Sequence, residues 1–410
     1  MDLPKPLDLG LDASTEDIID VALGTVRKHL GMEVAYLSEF VDGKSVFRAV
    51  SAPGLEALIK PGDSQNLDDV YCQHILDGRL PNVIQDTANE PICQALPITK
   101  QVPIGSHVSV PVTREDGTVY GMFCCLSPTP NPSLNDRDLA VMQTFADLAK
   151  KQLNTSLRSR AERDEARQRI QDVMDAHGFR IVLQPIFPLG STRPAGFESL
   201  CRFEAKPYRP PNIWFDEAFS VGRQLELELA VIECALASFE TLPADIYLSV
   251  NASPGTVASG RLPDIFKPHP QERIVLELTE HAVVDDYAVL EAELRVLAFA
   301  GARIAIDDVG AGHSGLSHIL KIKPDLLKLD MELTKDVDTD VARQSLVKGM
   351  VHFADACNAK IIAEGIEKAE EAAKLSELGV ALGQGYHLGK PDTMEAALAW
   401  FAEEQVERAG

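Results

Sequence analysis

The chain has 410 residues, and a single hydrophobic core rarely extends over that length, so two domains are expected. Hydrophobic residues make up 45% of the chain and charged residues 25%, which is typical of a globular protein and excludes a largely disordered one. The net charge of −23 excludes general binding to duplex nucleic acid, because such binding requires basic side chains that neutralise phosphates.

The sequence also indicates a compartment. It contains no run of about 18 apolar residues of the kind that spans a membrane. Residues 1–14 lack the basic stretch and apolar core of a signal peptide. The seven cysteines are odd in number and scattered, which favours a reducing environment over a disulfide framework. We therefore expect a cytoplasmic protein without membrane insertion.

The first part of the chain, residues 1–155, predicts an α+β domain with a meandering sheet. Residues 34–40 and 45–52 predict two strands joined at Asp42-Gly43. A second hairpin is predicted from residues 106–113 and 119–127, with its turn at Asp116-Gly117.

A long helix is predicted over residues 134–176, with Ser133 as a hydroxyl cap before it. The segment contains no proline or glycine, and apolar residues from Leu139 to Leu153 recur at three- and four-residue spacing. Its later portion is dense in charge, and both a solvated linker and a paired signalling helix agree with that composition.

Two segments of this half, YCQHILDGRLPNVIQDT and SVPVTREDGTVYGMFCCLS, resemble GAF domains. The resemblance implies a sensor domain that binds an unknown small ligand, or that pairs with a second copy and binds nothing. No residue decides between these, and a homodimer is expected on the same ground.

From residue 178 onward, short β-rich runs alternate with helical stretches. Such alternation predicts a TIM-like (β/α)8 barrel over residues 178–405. The predicted strands are residues 181–186, 197–203, 246–253, 274–280, 303–310, 326–331, 360–367 and 383–388.

Polar and charged residues lie at the ends of these apolar runs. In a barrel of parallel strands these ends share one mouth, where catalytic groups gather. A single carboxylate of this kind most often pairs with a nearby arginine, but several together repel one another unless cations are bound. The residues concerned are Glu198, Asn251, Glu277, Asp307, Asp308, Lys328, Asp330, Glu364, Glu367 and Gln384.

Carboxylate and amide oxygens favour Mg²⁺ or Mn²⁺. Zinc is not expected, because no histidine or cysteine occupies a comparable strand end before His387. The adjacent Asp307 and Asp308 suit a site with two ions, which can catalyse in-line displacement at phosphorus.

The segment FESLCR resembles the signature motif of EAL phosphodiesterases, and QPI, VNAS, ELTE, DDVGAG, LKLD, AEGIE and GQGY continue the match over residues 178–400. The resemblance implies hydrolysis of cyclic di-GMP to linear pGpG with two ions of Mg²⁺ or Mn²⁺. It implies a first ion bound by Glu198, Asn251, Glu277 and Asp307, and a second bound by Asp307, Asp308 and Glu364.

Other roles follow from the same resemblance. It implies that Lys328 orients the attacking water or stabilises charge, and that Gln184 and Arg202 bind the nucleotide phosphates. It also implies that Glu280 anchors the DDVGAG loop and that Gln384 supports the water site, with Asp330 and Glu367 nearby. Either Glu364 or Lys328 is the candidate proton acceptor.

The sequence departs from the commonest family pattern at Ser199, Val309 and His313, and the last two are expected to loosen the DDVGAG loop. A non-catalytic cyclic di-GMP receptor is the leading alternative, and loss of Glu198, Asp307, Asp308 or Lys328 would have favoured it. A barrel enzyme with single-metal enolate chemistry is a third interpretation, which offers no joint role for Gln184 and Arg202. We also expect the first domain to act on the DDVGAG loop through the long helix.

Overall fold

The computed structural model of the protein describes residues 13–278, 286–310 and 316–401. These residues form two compact units, one ending at Asp164 and the other beginning at Glu165. In the described part of the chain, no helix combines the length and the apolar character needed to cross a membrane.

The first unit contains a six-stranded antiparallel sheet in the order β3-β2-β1-β6-β5-β4. Asp42 and Gly43 have φ values of 51° and 75° in the tight turn between β1 and β2, as the sequence predicts for a hairpin of this kind. The elements are α1 (Ala13–His29), β1 (Val34–Val41), β2 (Lys44–Ser51), β3 (Ser64–Asn66), α2 (Tyr71–Leu76), β4 (Val83–Ile84), α3 (Pro91–Ala95), α4 (Pro97–Gln101), β5 (Ser106–Thr113) and β6 (Val119–Ser127).

Both faces of this sheet are covered. Because side chains alternate along a strand, Val108 and Val110 face one way, where they pack with α1 and the start of the long helix. Tyr36 and Cys124 belong to the opposite face, where they pack with α2 and the segment that follows it. The result is a unit of three layers, and its α+β class is the one that the sequence predicts.

The long helix α5 (Asp136–Asp175) has 40 residues, which confirms the predicted uninterrupted helix. Its cap differs from the prediction. The Asn135 side chain accepts from the backbone N–H of Arg137 at 2.9 Å, while the Asn135 N–H donates to Asp138 at 3.0 Å. This reciprocal pair caps the helix, and Ser133 instead donates to Asn131.

The second unit is a closed barrel in the order β10-β11-β12-β13-β14-β7-β8-β9. Its strands are β7 (Phe179–Pro188), β8 (Gly196–Phe203), β9 (Tyr247–Ala252), β10 (Ile274–Leu278), β11 (Arg303–Val309), β12 (Leu326–Leu329), β13 (Lys360–Ala363) and β14 (Leu382–Gly383). Its helices are α6 (Pro211–Ser220), α7 (Gln224–Leu236), α8 (Pro254–Ala258), α9 (Leu262–Phe266), α10 (Tyr287–Phe299), α11 (Leu316–Ile322), α12 (Met331–Thr334), α13 (Val341–Ala356), α14 (Ala369–Glu377) and α15 (Met394–Ala399).

The barrel confirms the predicted fold class with one difference in strand direction. Strands β8 to β14 run parallel to their neighbours, but β7 is antiparallel to both β8 and β14. Residues 189–195 alone join β7 to β8, and so short a connection makes a hairpin, since a parallel crossover needs a dozen residues or more.

The inside of the barrel is filled below the mouth. Ile186, Tyr247, Val275, Leu326 and Ile362 belong to one buried apolar cluster, to which strands β7, β9, β10, β12 and β13 contribute. This layer leaves the strand ends above it as the place where polar side chains meet.

Candidate active site

Lys328 is the centre of the polar cluster at the barrel mouth. It lies next to the last residue of β12 and is 1% exposed. Its Nζ lies 2.7 Å from Glu277, 2.8 Å from Glu364, 3.1 Å from Asp307 and 3.6 Å from Glu198. Four carboxylates, from β8, β10, β11 and the end of β13, therefore converge on one ammonium group.

The charges in this cluster do not balance. Burial alone would lower the pKa of Lys328, but the four carboxylates hold this pKa well above its ordinary value. Burial raises the pKa of Glu277 well above the usual range, and repulsion from Glu198 and Asp307 adds to this although Lys328 opposes it. Burial likewise raises the pKa of Glu364 to about 7. The site therefore holds more buried negative charge than its lysine compensates.

Glu198 is held by two amide side chains as well as by Lys328. Gln384 donates to its Oε2 at 2.5 Å, and Asn251 donates to its Oε1 at 3.2 Å. Burial opposes ionisation of Glu198, but the lysine and these two hydrogen bonds lower its pKa. The strand register brings Asn251 close to Glu198, because Glu198 of β8 lies opposite Ser249 of β9, two residues before Asn251.

Asp307, Asp308 and Glu364 form the second part of the mouth. Each offers a carboxylate oxygen, and these oxygens lie within 4.8 Å of one another. Asp308 has a φ of 53°, a left-handed conformation in which aspartate is among the few residues tolerated. This kink turns the chain at the end of β11, and adjacent residues thus contribute to one cluster.

Backbone bonds position Gln384 beside the loop that carries Glu364. Its N–H donates to the Ala363 carbonyl at 2.8 Å, and its own carbonyl accepts from Ile366 at 3.1 Å. A Cβ on the next residue, Gly385, would lie 2.2 Å from the Ile366 nitrogen, so glycine is required for this close approach.

Some predicted residues make their described contacts outside the cluster. Asp330 caps α12 by accepting from the Glu332 N–H at 2.6 Å, and the side chain of Glu367 is exposed. Gln184 lies opposite Glu198 in the β7–β8 register, and its Nε2 donates to the Gly389 carbonyl at 3.2 Å. Arg202 follows Glu198 by four residues on β8, and its guanidinium donates to the Cys201 carbonyl. Glu280 and His313 lie outside the described residues.

Two supporting carboxylates were not identified from the sequence. Glu228, on α7, accepts from both the N–H and the hydroxyl of Ser253 at 2.9 Å, which fixes the turn after Asn251. Glu371, on α14, accepts from the backbone N–H groups of Asp336, Glu367 and Lys368 at 3.0–3.1 Å. Both are glutamates on helices with ordinary amphipathic patterns, so the sequence offers no signal that marks them.

Ser199, which departs from the common family pattern, has a defined partner. Its hydroxyl donates to the Ser249 carbonyl at 2.6 Å, between β8 and β9. The hydroxyl is therefore satisfied although the residue is buried, and the substitution is compatible with the barrel.

The residues at the mouth fit hard divalent cations. The donor atoms are carboxylate and amide oxygens, and the net charge of the cluster is negative. The Oε1 of Glu277 is buried and has no hydrogen-bond partner among the described residues, so this oxygen is available to a ligand.

A closed barrel with carboxylate and amide side chains at its strand ends defines a TIM-like barrel protein with an oxygen-rich mouth. The EAL domain family matches residues 167–391, which is more than half of the chain, and the protein belongs to this family. A GAF domain family matches residues 12–151.

Curated relatives carry names that state an activity. The chain is 27% identical over 244 residues to the probable cyclic di-GMP phosphodiesterase PdeD of Escherichia coli, which covers 56% of this chain and 44% of that protein. It is 28% identical over 226 residues to the cyclic di-GMP phosphodiesterase PdeA of Borreliella burgdorferi, covering 52% of this chain and 34% of that protein. The chain thus spans less than half the length of these two relatives.

A solved structure shares the barrel. The EAL domain protein of Listeria monocytogenes is 26% identical with a TM-score of 0.52, and the match covers 57% of this chain and 96% of that one.

Proposed function

We propose that the protein hydrolyses cyclic di-GMP to linear pGpG with two divalent cations, Mg²⁺ or Mn²⁺, at the mouth of the barrel. The observation that carries this proposal is the convergence of four carboxylates on Lys328, in a chain that belongs to the EAL family. The names of two relatives as cyclic di-GMP phosphodiesterases support the choice of substrate.

The residues divide between two ion positions. Glu198, Asn251, Glu277 and Asp307 would hold one ion, and Asp307, Asp308 and Glu364 would hold the other, with Asp307 shared. Bound ions of this kind activate water and stabilise charge on the attacking and leaving oxygens at phosphorus. Gln384 and Asn251 orient Glu198 by hydrogen bonds, which fixes the direction of its carboxylate before substrate arrives.

Lys328 and the phosphate-binding residues complete the proposed mechanism. The Lys328 ammonium offsets the charge of the carboxylates and donates hydrogen bonds at the mouth. Arg202 and Gln184 bind the phosphates of the dinucleotide, for which the planar guanidinium of arginine is suited. Glu364 is the candidate group that takes the proton of the attacking water, and its contact of 2.8 Å with Lys328 supports this role. Lys328, the other candidate from the sequence, is already protonated, because the four carboxylates hold its pKa well above the ordinary value.

The first 155 residues act as a sensor that regulates the barrel, residues 178–405, through α5 in a homodimer. The GAF family match and the 40-residue helix that leaves this unit support this part of the proposal. A change in phosphodiesterase activity when a ligand occupies the first unit would be direct evidence of this regulation.

The decisive experiment is to incubate the full chain with cyclic di-GMP and Mg²⁺ or Mn²⁺ and to separate the products. We expect pGpG from the unaltered chain and none above background from Glu198→Ala. The matched control is Glu204→Ala, because Glu204 is an exposed glutamate just beyond β8 whose carboxylate pairs with Arg180. Binding of the nucleotide without turnover would instead support the non-catalytic receptor.

A further inference from the structure

The first unit contains a cavity of about 130 Å³ on the face of the sheet opposite α1. Val34 and Leu126 from the sheet form its floor, and Tyr71, Ile98 and Ile104 from the segment between β3 and β5 form its other walls. Leu58, which is 65% exposed, also lines the cavity and places one side of it at the surface. The cavity lies within a single unit and does not involve the barrel.

One polar side chain in the lining has an unsatisfied nitrogen. His107, on β5, is 1% exposed, and its Nδ1 is buried without a hydrogen-bond partner among the described residues. The alternation along β5 explains its direction, since Val108 belongs to the core on the other face. Burial lowers the pKa of His107 to about 4, so the imidazole is neutral at pH 7 and can donate one hydrogen bond and accept another.

The Tyr71 hydroxyl adds a second polar group beside His107. The two rings meet edge to face with their centroids 5.3 Å apart. The Thr99 hydroxyl donates to the Cys93 carbonyl at 2.5 Å, so its single proton is used there. Tyr71 therefore donates to Thr99, at 2.6 Å, and its oxygen retains the capacity to accept.

The charge of the lining limits the ligands that fit. Within the described residues, the side chains that line the cavity are apolar except for neutral groups such as His107, Tyr71 and Gln65, and none is a lysine or an arginine. A phosphate or carboxylate buried here would lack a compensating cation, and burying an unpaired charge is costly. The lining therefore excludes anionic ligands, including nucleotides.

We propose that this cavity binds a small neutral molecule built on one aromatic ring, with a hydroxyl or similar polar group that hydrogen-bonds to His107. The volume agrees with this class, because an apolar protein cavity of about 150 Å³ accommodates benzene. The inference extends the sensor role proposed above. Its test reads ligand binding, so its failure is distinguishable from a failure of phosphodiesterase activity.

The test uses three probes of similar size on the unaltered full chain: phenol, toluene and benzoate. Binding is followed by NMR of the isoleucine, leucine and valine methyl groups at pH 7. We expect saturable shifts with phenol and toluene at Val34, Ile104 and Leu126, and no saturable shift at Val110, on the other face. Benzoate should bind at least about tenfold more weakly than phenol because its charge is not compensated.

The role of His107 is tested by His107→Phe, with His74→Phe as the matched control. His74 also has a buried, unpartnered Nδ1, but it does not line the cavity. In His107→Phe, the affinity for phenol relative to toluene should fall about tenfold, because a buried hydroxyl then loses its partner. In the control this ratio should stay unchanged.

Three results would overturn the proposal. These are the absence of saturable shifts in the unaltered chain, benzoate binding as tightly as phenol, and an unchanged phenol-to-toluene ratio in His107→Phe. The comparison of the three probes needs no substitution, so it decides the matter even if the variant fails to fold.

Discussion

Replacing Glu277 by glutamine is expected to stabilise the metal-free protein while it weakens metal binding. Glu277 is fully buried, and its Oε2 lies 2.7 Å from Lys328. The same lysine also pairs with Asp307 at 3.1 Å and Glu198 at 3.6 Å, so Glu277 is attracted by one charge and repelled by at least two. At an effective dielectric constant of about 20, unit charges 4 Å apart interact by about 4 kcal/mol, so one repulsion approaches the attraction in size.

The burial of the Glu277 carboxylate decides whether the substitution raises or lowers the unfolding free energy. Glutamine keeps an oxygen that accepts from Lys328, removes the cost of burying a charge and relieves the repulsion. We therefore expect the unfolding free energy at pH 7, with a chelator present, to rise by about 1–3 kcal/mol. Added Mn²⁺ should stabilise the unaltered chain more than Glu277→Gln, because the variant lacks one ligand charge.

Urea unfolding followed by tryptophan fluorescence measures this effect. Both tryptophans of the chain, Trp214 and Trp400, lie in the second unit and so report on the barrel. The matched control is Glu228→Gln, a buried glutamate whose two oxygens accept from Ser253 and Gln224. That variant should lose about 1–2 kcal/mol. If Glu277→Gln is destabilised to the same extent without metal, the claim of excess negative charge at the mouth is wrong.

Two further predictions concern loop anchoring and substrate binding. Glu371→Gln should cost about 1–2 kcal/mol at pH 7 in urea unfolding, because it removes the charge that accepts three backbone hydrogen bonds. Burial opposes its ionisation, but these bonds hold the pKa of Glu371 below its ordinary value. The loss of unfolding free energy is therefore full above the pKa of about 4.3 in the unfolded state, and it disappears as the pH falls through the lower pKa of the folded state. A constant difference in unfolding free energy between Glu371→Gln and the unaltered chain down to pH 3 would contradict this reasoning. In steady-state kinetics, Arg202→Lys should raise KM for cyclic di-GMP about tenfold with a smaller change in kcat, because lysine lacks the planar guanidinium that can donate two parallel hydrogen bonds to a phosphate. A change in kcat alone would contradict phosphate binding by Arg202.

Local patterns predicted much of the fold. The Asp42-Gly43 and Asp116-Gly117 turns marked two hairpins, and the absence of proline and glycine marked α5. The β-rich pattern of β7 did not give its direction, because such a run has the same pattern in either orientation; the signal is the short connection to β8, which only a hairpin can make. The cap of α5 was also misplaced, since Ser133 and Asn135 are both residues that cap helices and the choice depends on the loop geometry.

Most residues predicted for the mouth converge there because strand ends of a barrel share one edge. Eight of the predicted residues contact one another or belong to one carboxylate cluster: Glu198, Asn251, Glu277, Asp307, Asp308, Lys328, Glu364 and Gln384. Asp330 and Glu367 follow similar apolar runs, yet Asp330 caps α12 and the side chain of Glu367 is exposed. The metal-binding roles of the mouth residues, and the phosphate-binding roles of Gln184 and Arg202, stay predictions.

The most direct measurement is anomalous diffraction at the manganese edge from crystals of the full chain with Mn²⁺ and cyclic di-GMP. We expect two peaks at the mouth about 3.5–4 Å apart, one beside Glu198, Asn251 and Glu277 and the other beside Asp308 and Glu364, with Asp307 between them. A single peak, or manganese bound away from these oxygens while nucleotide occupies the barrel, would contradict the proposed two-ion site.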